Sequence, residues 1–445
     1  MNRLHADHAL LPDGFARDVE LAWDDAGTLR SVARGVRCEP GAARAGGLVV
    51  PGLPNLHSHA FQRAFAGLTE TRGATQDSFW TWRDRMYRFA GAITPDELEA
   101  VATQLYVEML RAGYTSVCEF HYVHRDPAGR AYADPAELSL RLVAAARRAG
   151  IGLTMLPVLY QASGFGAAPP RADQQRFLLG VDELLRIVEA LRAQGVRTGV
   201  APHSLRAVPP PALAELLAGL RALDDSAPIH IHVSEQMQEV RDSLAWSGRR
   251  PVQWLLDHAP VDARWCLVHA THLDDAERAE AARRGAVIGL CPTTEANLGD
   301  GLFELPAWNG AWGIGSDSHA SVDAAEELRL LEYGQRLARQ QRNIFTADEL
   351  WQAAVAGGAQ AAGRPIAGFV AGQQADFLVL ADAMLDDLAP AERLASYVFA
   401  NQRREGVREV WVGGRRVVHE GHHARAAAAQ KGFIAARARL RRELA

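Results

Sequence analysis

The sequence predicts an α/β chain: a parallel (β/α)8 barrel carrying a small β-sandwich domain assembled from both chain ends. Three observations point there. From about residue 48 to 320, short apolar strands alternate with helical stretches. Strand-like segments precede that region and return after residue 365. Histidines and carboxylates gather where the central strands run out, the end of a parallel barrel that carries its site. A doubly wound open sheet is the alternative, but no Gly-x-Gly-x-x-Gly opens a helix.

Residues 1–50 hold strand-like pieces at 18–23 and 29–36, with turns at Asp25-Ala-Gly27 and Pro40-Gly41. The barrel spans 51–364, its strands expected at 48–56, 114–120, 152–158, 198–201, 228–233, 264–269, 286–290 and 311–315. Helical patterns fall between them, at 96–112, 135–149, 182–194, 210–223, 250–259 and 274–284. Several open on Asp or Pro and close near Gly, as capped helices do. Residues 365–425 return to strands at Ala375-Asp-Phe-Leu-Val-Leu-Ala381 and 407–418, turning at Gly413-Gly414. With 1–50 they make the small β domain, and the Ala- and Arg-rich stretch 426–445 reads as a final helix.

Bulk composition excludes several functions. With 445 residues and a formal net charge of −5, acidic and basic residues are interspersed. No basic stripe suits nucleic acid or an anionic membrane. No apolar run is long enough to span a bilayer, and residues 1–13 lack a signal-peptide core. Cys38, Cys118, Cys266 and Cys291 lie far apart and read as buried free thiols of a cytoplasmic protein. The only lysine is Lys431, so no Walker-type Gly-Lys-Ser/Thr loop exists. The same lack argues against Schiff-base chemistry, because Lys431 lies in the tail.

The chemical signal begins at Pro51-Gly-Leu-Pro-Asn-Leu-His57-Ser-His59. In an extended strand, positions i and i+2 face the same side, so both imidazoles can converge on one ion. Alone, the pair reads equally well as two solvated loop histidines. Strand five ends in His230-Ile-His232-Val-Ser-Glu235, where either histidine is placed to ligate and the bland reading is two satisfied core histidines. Strand six ends at His269 and His272, and strand eight at Asp317-Ser-His319. Each is mundane alone; together at strand ends they surround one mouth. His57, His59, His232 and Asp317 give three nitrogens and one oxygen, a set suited to a single Zn²⁺ or Fe²⁺ with an open position for water. Such an ion lowers the pKa of a coordinated water toward about 7, giving hydroxide as nucleophile. Glu235 is placed to take the water's proton and deliver it to a leaving nitrogen. His269 is placed to polarise the bond under attack, and Asp317 to ligate and to accept a proton.

With these residues the chain resembles the amidohydrolase superfamily, whose members carry His-x-His, His, His and Asp on a (β/α)8 barrel flanked by a β domain. The likeness covers essentially the whole chain, including Asp376 in Gly372-Gln-Gln-Ala-Asp-Phe-Leu-Val-Leu, similar to the family's return to the β domain. Binuclear members bridge two metals with a carboxylated lysine, which this chain lacks; a mononuclear deaminase-type site follows. His232-x-x-Glu235 is likewise the deaminase form. More specific segments resemble the formimidoylglutamate deiminase family: Pro54-Asn-Leu-His-Ser-His-Ala-Phe-Gln-Arg63 with Gly67-Leu-Thr-Glu70, and Asp77-Ser-Phe-Trp-Thr-Trp-Arg-Asp-Arg-Met-Tyr-Arg-Phe89. Glu119-Phe-His-Tyr-Val-His124, Ala201-Pro-His-Ser-Leu-Arg206 and His232-Val-Ser-Glu-Gln236 match as well.

This resemblance implies hydrolysis of N-formimino-L-glutamate to N-formyl-L-glutamate and ammonia in histidine degradation, by a cytoplasmic homodimer. It also implies that Gln62, Arg83, Tyr122, His203 and Arg206 contact the substrate. Arginines suit a dicarboxylate because their planar forks match carboxylates. Arg206 follows His203 just past strand four, whereas Arg85 and Arg88 lie as near as Arg83 and only the motif selects it. Trp80 and Trp82 read as lid or interface packing, and 160–171, rich in Gly, Ala and Pro, as a mobile loop over the mouth. His5, His8, His258, His319, His422 and His423 read as surface or supporting residues; His121, His124 and His272 stay open. The alternative function is a nucleobase or adenosine-derivative deaminase with the same metal site. A metal-bound but non-catalytic barrel is disfavoured by Glu235 and His269, which a closed structural site does not need.

Overall fold

The chain is described over residues 1–70, 79–400 and 406–444 in a computed structural model. It opens with β1 (Asn2–Leu11), β2 (Gly14–Trp23), β3 (Leu29–Ala33) and β4 (Arg44–Pro51). Val19, Leu21 and Trp23 alternate inward along β2, the period of a strand with one buried face. Next come β5 (Leu53–Ser58), β6 (Tyr114–His121), β7 (Gly152–Leu159), β8 (Arg197–Thr198), β9 (Ala201–Pro202), β10 (Ile229–Val233), β11 (Trp265–His269), β12 (Val287–Leu290) and β13 (Trp312–Ile314). The chain returns through β14 (Phe377–Leu380), β15 (Val407–Val412), β16 (Arg415–His419) and β17 (His422–His423).

Both chain ends enter one eight-stranded sheet, ordered β17-β16-β15-β14-β4-β1-β2-β3. The middle strands form two parallel sheets, β5-β6-β7-β8 with β9 beside β7, and β10-β11-β12-β13. Parallel bridges at Val200–Ile229 and Ser204–His232 link these two sheets, and another at Ser58–Asp317 links the last strand to the first. β6, β7, β10 and β11 are buried along their whole length, as strands covered on both faces are. The fold is therefore α/β with parallel sheets.

The helices begin where local chemistry dictates. Thr94 and Glu97 form a capping box ahead of Pro95–Arg111, which also has Pro at its first position. Asp274 with Glu277 and Thr346 with Glu349 do the same for Asp275–Arg283 and Ala347–Ala362. The final helix, Ala426–Leu444, lies against Pro95–Arg111 through an Arg439–Glu97 ion pair. Among the described residues, no helix is long and apolar enough to cross a membrane.

Several expectations need correcting. The single strand expected at 48–56 is two strands in different sheets, because the chain turns at Gly52. The Gly52 amide donates to Asp376 O, and a Cβ there would lie 2.2 Å from Thr115. The strand expected at 198–201 is broken into β8 and β9. Between them Gly199 approaches the Pro228 carbonyl so closely that a Cβ would sit 2.2 Å away. Residues 365–425 are not all strand; Pro390–Phe399 is an amphipathic helix with Leu394, Tyr397 and Val398 buried. Helices Ala324–Arg339 and Ala347–Ala362 follow β13 where no element was expected. Cys118, Cys266 and Cys291 are buried free thiols, but Cys38 is only half-buried.

Candidate active site

Every parallel strand position delivers something to one mouth at the strands' C-terminal ends. His57 and His59 come from the end of β5, Tyr122 from β6, Tyr160 from β7 and His203 from β9. His232 and Glu235 follow from β10, His269 from β11, Glu295 from the helix after β12 (Pro292–Leu298) and Asp317 from β13. The backbone bends sharply here. Ser234, His269, Ala270, Asp317 and His319 all have φ between 42° and 65°, a region ordinary side chains rarely adopt. Each costs on the order of 1–3 kcal/mol, which the surrounding hydrogen bonds must offset. Two such bonds run from Asp317 N to His57 O (3.0 Å) and from His59 N to Asp317 O (3.3 Å).

Four side chains converge. His57 Nε2 lies 3.1 Å from His59 Nε2 and 3.0 Å from His232 Nε2. Asp317 Oδ1 is 3.3 Å from His57 Nε2 and 3.2 Å from His59 Nε2. All four residues are buried. His59 Nδ1 pairs with Phe120 O at 2.8 Å and His232 Nδ1 with His203 O at 3.1 Å. A carbonyl only accepts, so both Nδ1 atoms carry the proton and both Nε2 atoms present lone pairs inward. Burial, reinforced by His59, pushes the His57 pKa down to about 3. Burial also raises the Asp317 carboxyl, but its contacts with His57 and His59 outweigh burial and hold the acid well below the usual carboxylate range. The Nε2 atoms of three histidines and one carboxylate oxygen thus meet at one point. Their spacing approaches the ~3.3 Å edge of a tetrahedron with ~2.0–2.1 Å ligand bonds, so the donor set fits a divalent cation.

Glu235 and His269 stand beside this cluster. His269 Nε2 is 3.7 Å from Glu235 Oε1 and 3.8 Å from Asp317 Oδ2, while its Nδ1 faces Glu295 Oε1 at 3.2 Å. Burial lowers the His269 pKa, but the Glu235, Glu295 and Asp317 carboxylates override it, and the value is pushed up to about 10. Burial raises Glu235 despite the opposing charge on His269.

A cleft opens over these groups. Its lining holds His59, His232, Glu235, His269 and Asp317 together with Gln62, Arg83, Tyr122, His203 and Arg206. Gln62 Nε2 donates to Tyr122 Oη at 3.0 Å, and Arg83 lies 5.5 Å over the Tyr87 ring. Arg206 is half-buried; desolvation opposes its charge, but Glu239 and Glu235 outweigh it and hold the guanidinium protonated. Burial, then Arg206, pushes His203 well below the usual histidine range, so it enters the cleft neutral. Arg85 donates instead to Thr69 O, outside the cleft.

Other readings shift. His230 Nε2 donates to Ala361 O and is structural, so only His232 of that pair faces the cluster. Tyr160 is not part of a loose loop: it is buried, lines the cleft and bonds Gln174 Nε2 at 2.8 Å. The loop beyond it is tied down by Gln161 and Ala162 amides to Ala207 O and by Phe165 stacked on Trp246. Trp82 lines the cleft as well as packing on Phe65; Trp80 lies outside the described side chains. His5 and His423 are buried and pair with Val36 O and Ala149 O, far from solvent roles. His124 pairs with Val158 O, His272 with Asp300 O, and His319 with Ser58 and Ser316 beneath the cluster.

Residues not anticipated include Glu119, which accepts from Ser58 Oγ, Ala60 N and Tyr106 Oη and pins the His57–His59 turn. Tyr87, Tyr160 and Glu295 were missed too. One signal pointed to Tyr160 and Glu295: of the eight strands, only the third and the seventh carry no predicted site residue.

The sequence profile of the amidohydrolase family matches residues 48–417. Formimidoylglutamate deiminase of Pseudomonas aeruginosa is 51% identical over 451 residues, covering 98% of each chain. A 5-methylthioadenosine/S-adenosylhomocysteine deaminase of Natronomonas pharaonis is 29% identical, covering 84% of this chain and 82% of its own. Among solved structures, an amidohydrolase from Brucella melitensis superposes with a TM-score of 0.94 at 46% identity, covering 99% of this chain and 100% of its own. The chain belongs to the amidohydrolase family.

Proposed function

We propose that this chain is a hydrolase of the C–N bond of a linear amidine, converting N-formimino-L-glutamate and water to N-formyl-L-glutamate and ammonia in histidine degradation. One observation carries the reading: a His/Asp cluster flanked by Glu235 and His269 shares a single cleft with Arg83 and Arg206. The P. aeruginosa relative, matched end to end, bears the corresponding name.

His57, His59, His232 and Asp317 would hold one divalent cation, most simply Zn²⁺, with Fe²⁺ the second choice for such donors. When bound, that cation supplies an acidified water as nucleophile. The remaining steps belong to side chains. Arg206 and Arg83 pair with the two carboxylates, with Gln62, Tyr122 and the neutral His203 fixing the backbone of the substrate between them. Glu235 takes the proton from the attacking water and returns it to the departing nitrogen. His269 donates a hydrogen bond to the reacting group, and Asp317 accepts the second proton as the tetrahedral carbon collapses and passes it to the same departing nitrogen, which leaves as ammonia. Water adds at the formimino carbon, the C–N bond to nitrogen breaks, and ammonia leaves.

We read the two parallel sheets and their bridged seams as one closed (β/α)8 barrel over 51–364. The sheet of 1–50 and 365–425 is read as a sandwich, with 426–445 as an added helix. Support for the sandwich is that Trp23 of β2 contacts Phe377 of β14 and Trp411 of β15, strands several places away in the same sheet. A cytoplasmic homodimer completes the proposal; its support is the free thiols and the family resemblance.

Ammonia release from N-formimino-L-glutamate, measured beside guanine, cytosine and S-adenosylhomocysteine, tests the substrate. Release from the formimino acid alone is expected; release only from a nucleobase or nucleoside would favour the nucleobase or adenosine-derivative deaminase reading. Glu235→Gln should keep the metal content and reduce turnover by roughly 10²–10⁴-fold. Survival of activity in that variant would refute the proton route.

A further inference from the structure

The histidines at the mouth divide into two kinds by what lies behind them. His59 and His232 pair through Nδ1 with main-chain carbonyls, at 2.8 Å and 3.1 Å. A carbonyl is a neutral acceptor, and it suits a ring that offers its Nε2 lone pair and never gains a second proton. His269 is different. Its Nδ1 faces a carboxylate, Glu295 Oε1, at 3.2 Å. A carboxylate behind an imidazole fixes the tautomer and also favours the imidazolium that forms when Nε2 takes a proton.

The carboxylate is itself held. Glu295 Oε1 accepts from Cys291 N at 2.8 Å, across the first turn of Pro292–Leu298. Glu295 is 5% exposed and His269 1% exposed, so neither partner exchanges freely with water. The His269 ring lies nearly parallel to the His232 ring, 18° apart at 5.5 Å, and its backbone is locked at φ 65°. With Nδ1 committed to Glu295, Nε2 is the atom left facing Glu235 and Asp317.

We propose that Glu295 is a positioning residue for the reaction: it holds the Nδ1 proton of His269 so that Nε2 serves the reacting group. This rests on the functional reading above for what His269 does, but the placement of the Nδ1 proton stands on its own. The loop after strand seven thus supplies the acid/base apparatus with its support, whereas His59 and His232 are backed by main-chain carbonyls.

The test uses full-length, metal-loaded protein labelled with ¹⁵N at histidine, as wild type, Glu295→Gln and Glu295→Ala. His269 is assigned by the signal lost in His269→Asn. The wild type should show a protected, downfield Nδ1 proton at His269 that disappears in Glu295→Ala. Glu295→Gln keeps an acceptor of the same shape without the charge. It should lower kcat by about 10–100-fold, leave KM within about 2-fold, retain metal at the wild-type ratio and shift the basic limb of the pH–rate profile to lower pH. Unchanged kcat in both variants overturns the proposal, as does a His269 Nδ1 proton that survives in Glu295→Ala. A kcat loss in Glu295→Gln that tracks lost metal or lost folding also overturns it, by reducing Glu295 to a structural acid. Failure of the wild type to act on the formimino acid would sink the functional reading alone, since the Nδ1 proton is read without turnover.

Discussion

The two ends of the cleft are built differently. At the histidine end, side chains stand on or just past strand termini, and their main chains are stitched together: Asp317 and the β5 end exchange two backbone hydrogen bonds. At the arginine end, Arg83 rides on helix Phe79–Ala92, Arg206 on the turn after β9 and Tyr160 on the loop after β7. That end is held by side chains, through Gln174, Tyr160 and Tyr87. Strand termini fix atoms to within fractions of an ångström, which ligand geometry demands. Loops and helices can be exchanged without disturbing the sheet, which is how one chemistry is fitted to different substrates.

If the division is real, substitutions at the two ends should fail in different currencies. The largest effect belongs to the histidine end. His232→Ala or Asp317→Asn should lose bound metal, and kcat/KM should drop by roughly 10³-fold or more, about 4 kcal/mol; metal analysis beside steady-state kinetics checks both. Next, Arg206→Ala should keep its metal while kcat/KM falls roughly 10²-fold or more, mostly through KM, as loss of a buried charge-assisted pair costs about 2–5 kcal/mol. Metal loss in Arg206→Ala would break the comparison, since the ends would then not be independent. Tyr122→Phe removes the acceptor of Gln62 Nε2 and should cost about 1–2 kcal/mol in kcat/KM with metal retained.

The smallest effect lies outside both ends and acts as a control. Burial pushes the Asp376 carboxyl up to about 6, against the Gly413 amide that favours its charge. The folded state therefore holds this proton more tightly than the unfolded chain does. Its contribution is fully present below the unfolded value of about 4 and is lost as pH rises through 6. Asp376→Asn should leave kcat and KM unchanged. Relative to wild type, its stability should improve by about 1 kcal/mol between pH 5 and pH 8, read from thermal melts.

Much of the histidine end was legible in the sequence because strand geometry is periodic. His57 with His59, and His232 with Glu235, could be placed on one side by counting residues past an apolar run; the structure brings the three histidines together with Asp317 and sets Glu235 against His269. The strand boundaries were less legible. Within Leu48 to Leu56 the turn is marked only by the Pro51-Gly52 pair, which an apolar run on both sides hides. Arg83 could be told from Arg85 and Arg88 only by resemblance; on a helix, which of three nearby arginines faces the cleft depends on how the helix is rotated against the sheet. Glu295 carried no local motif at all. Its role depends on meeting His269 across a turn of chain that only the fold brings together.

The register of one strand pair governs how the protein must be made. β4, which leads directly into the strand bearing His57 and His59, pairs with β14, Phe377 opposite Pro51 and Leu378 opposite Val50. Trp351 Nε1 also donates to Pro51 O, 300 residues downstream. At about 5–20 residues per second, a ribosome needs roughly 15–60 s to deliver β14 after β4 has emerged. Throughout that interval the Leu48-Val49-Val50 edge has β1 on one side and nothing on the other. An open apolar edge of that kind is where nascent chains stick to one another. Synthesis of this enzyme should therefore depend on chaperone cover during elongation far more than its finished stability suggests.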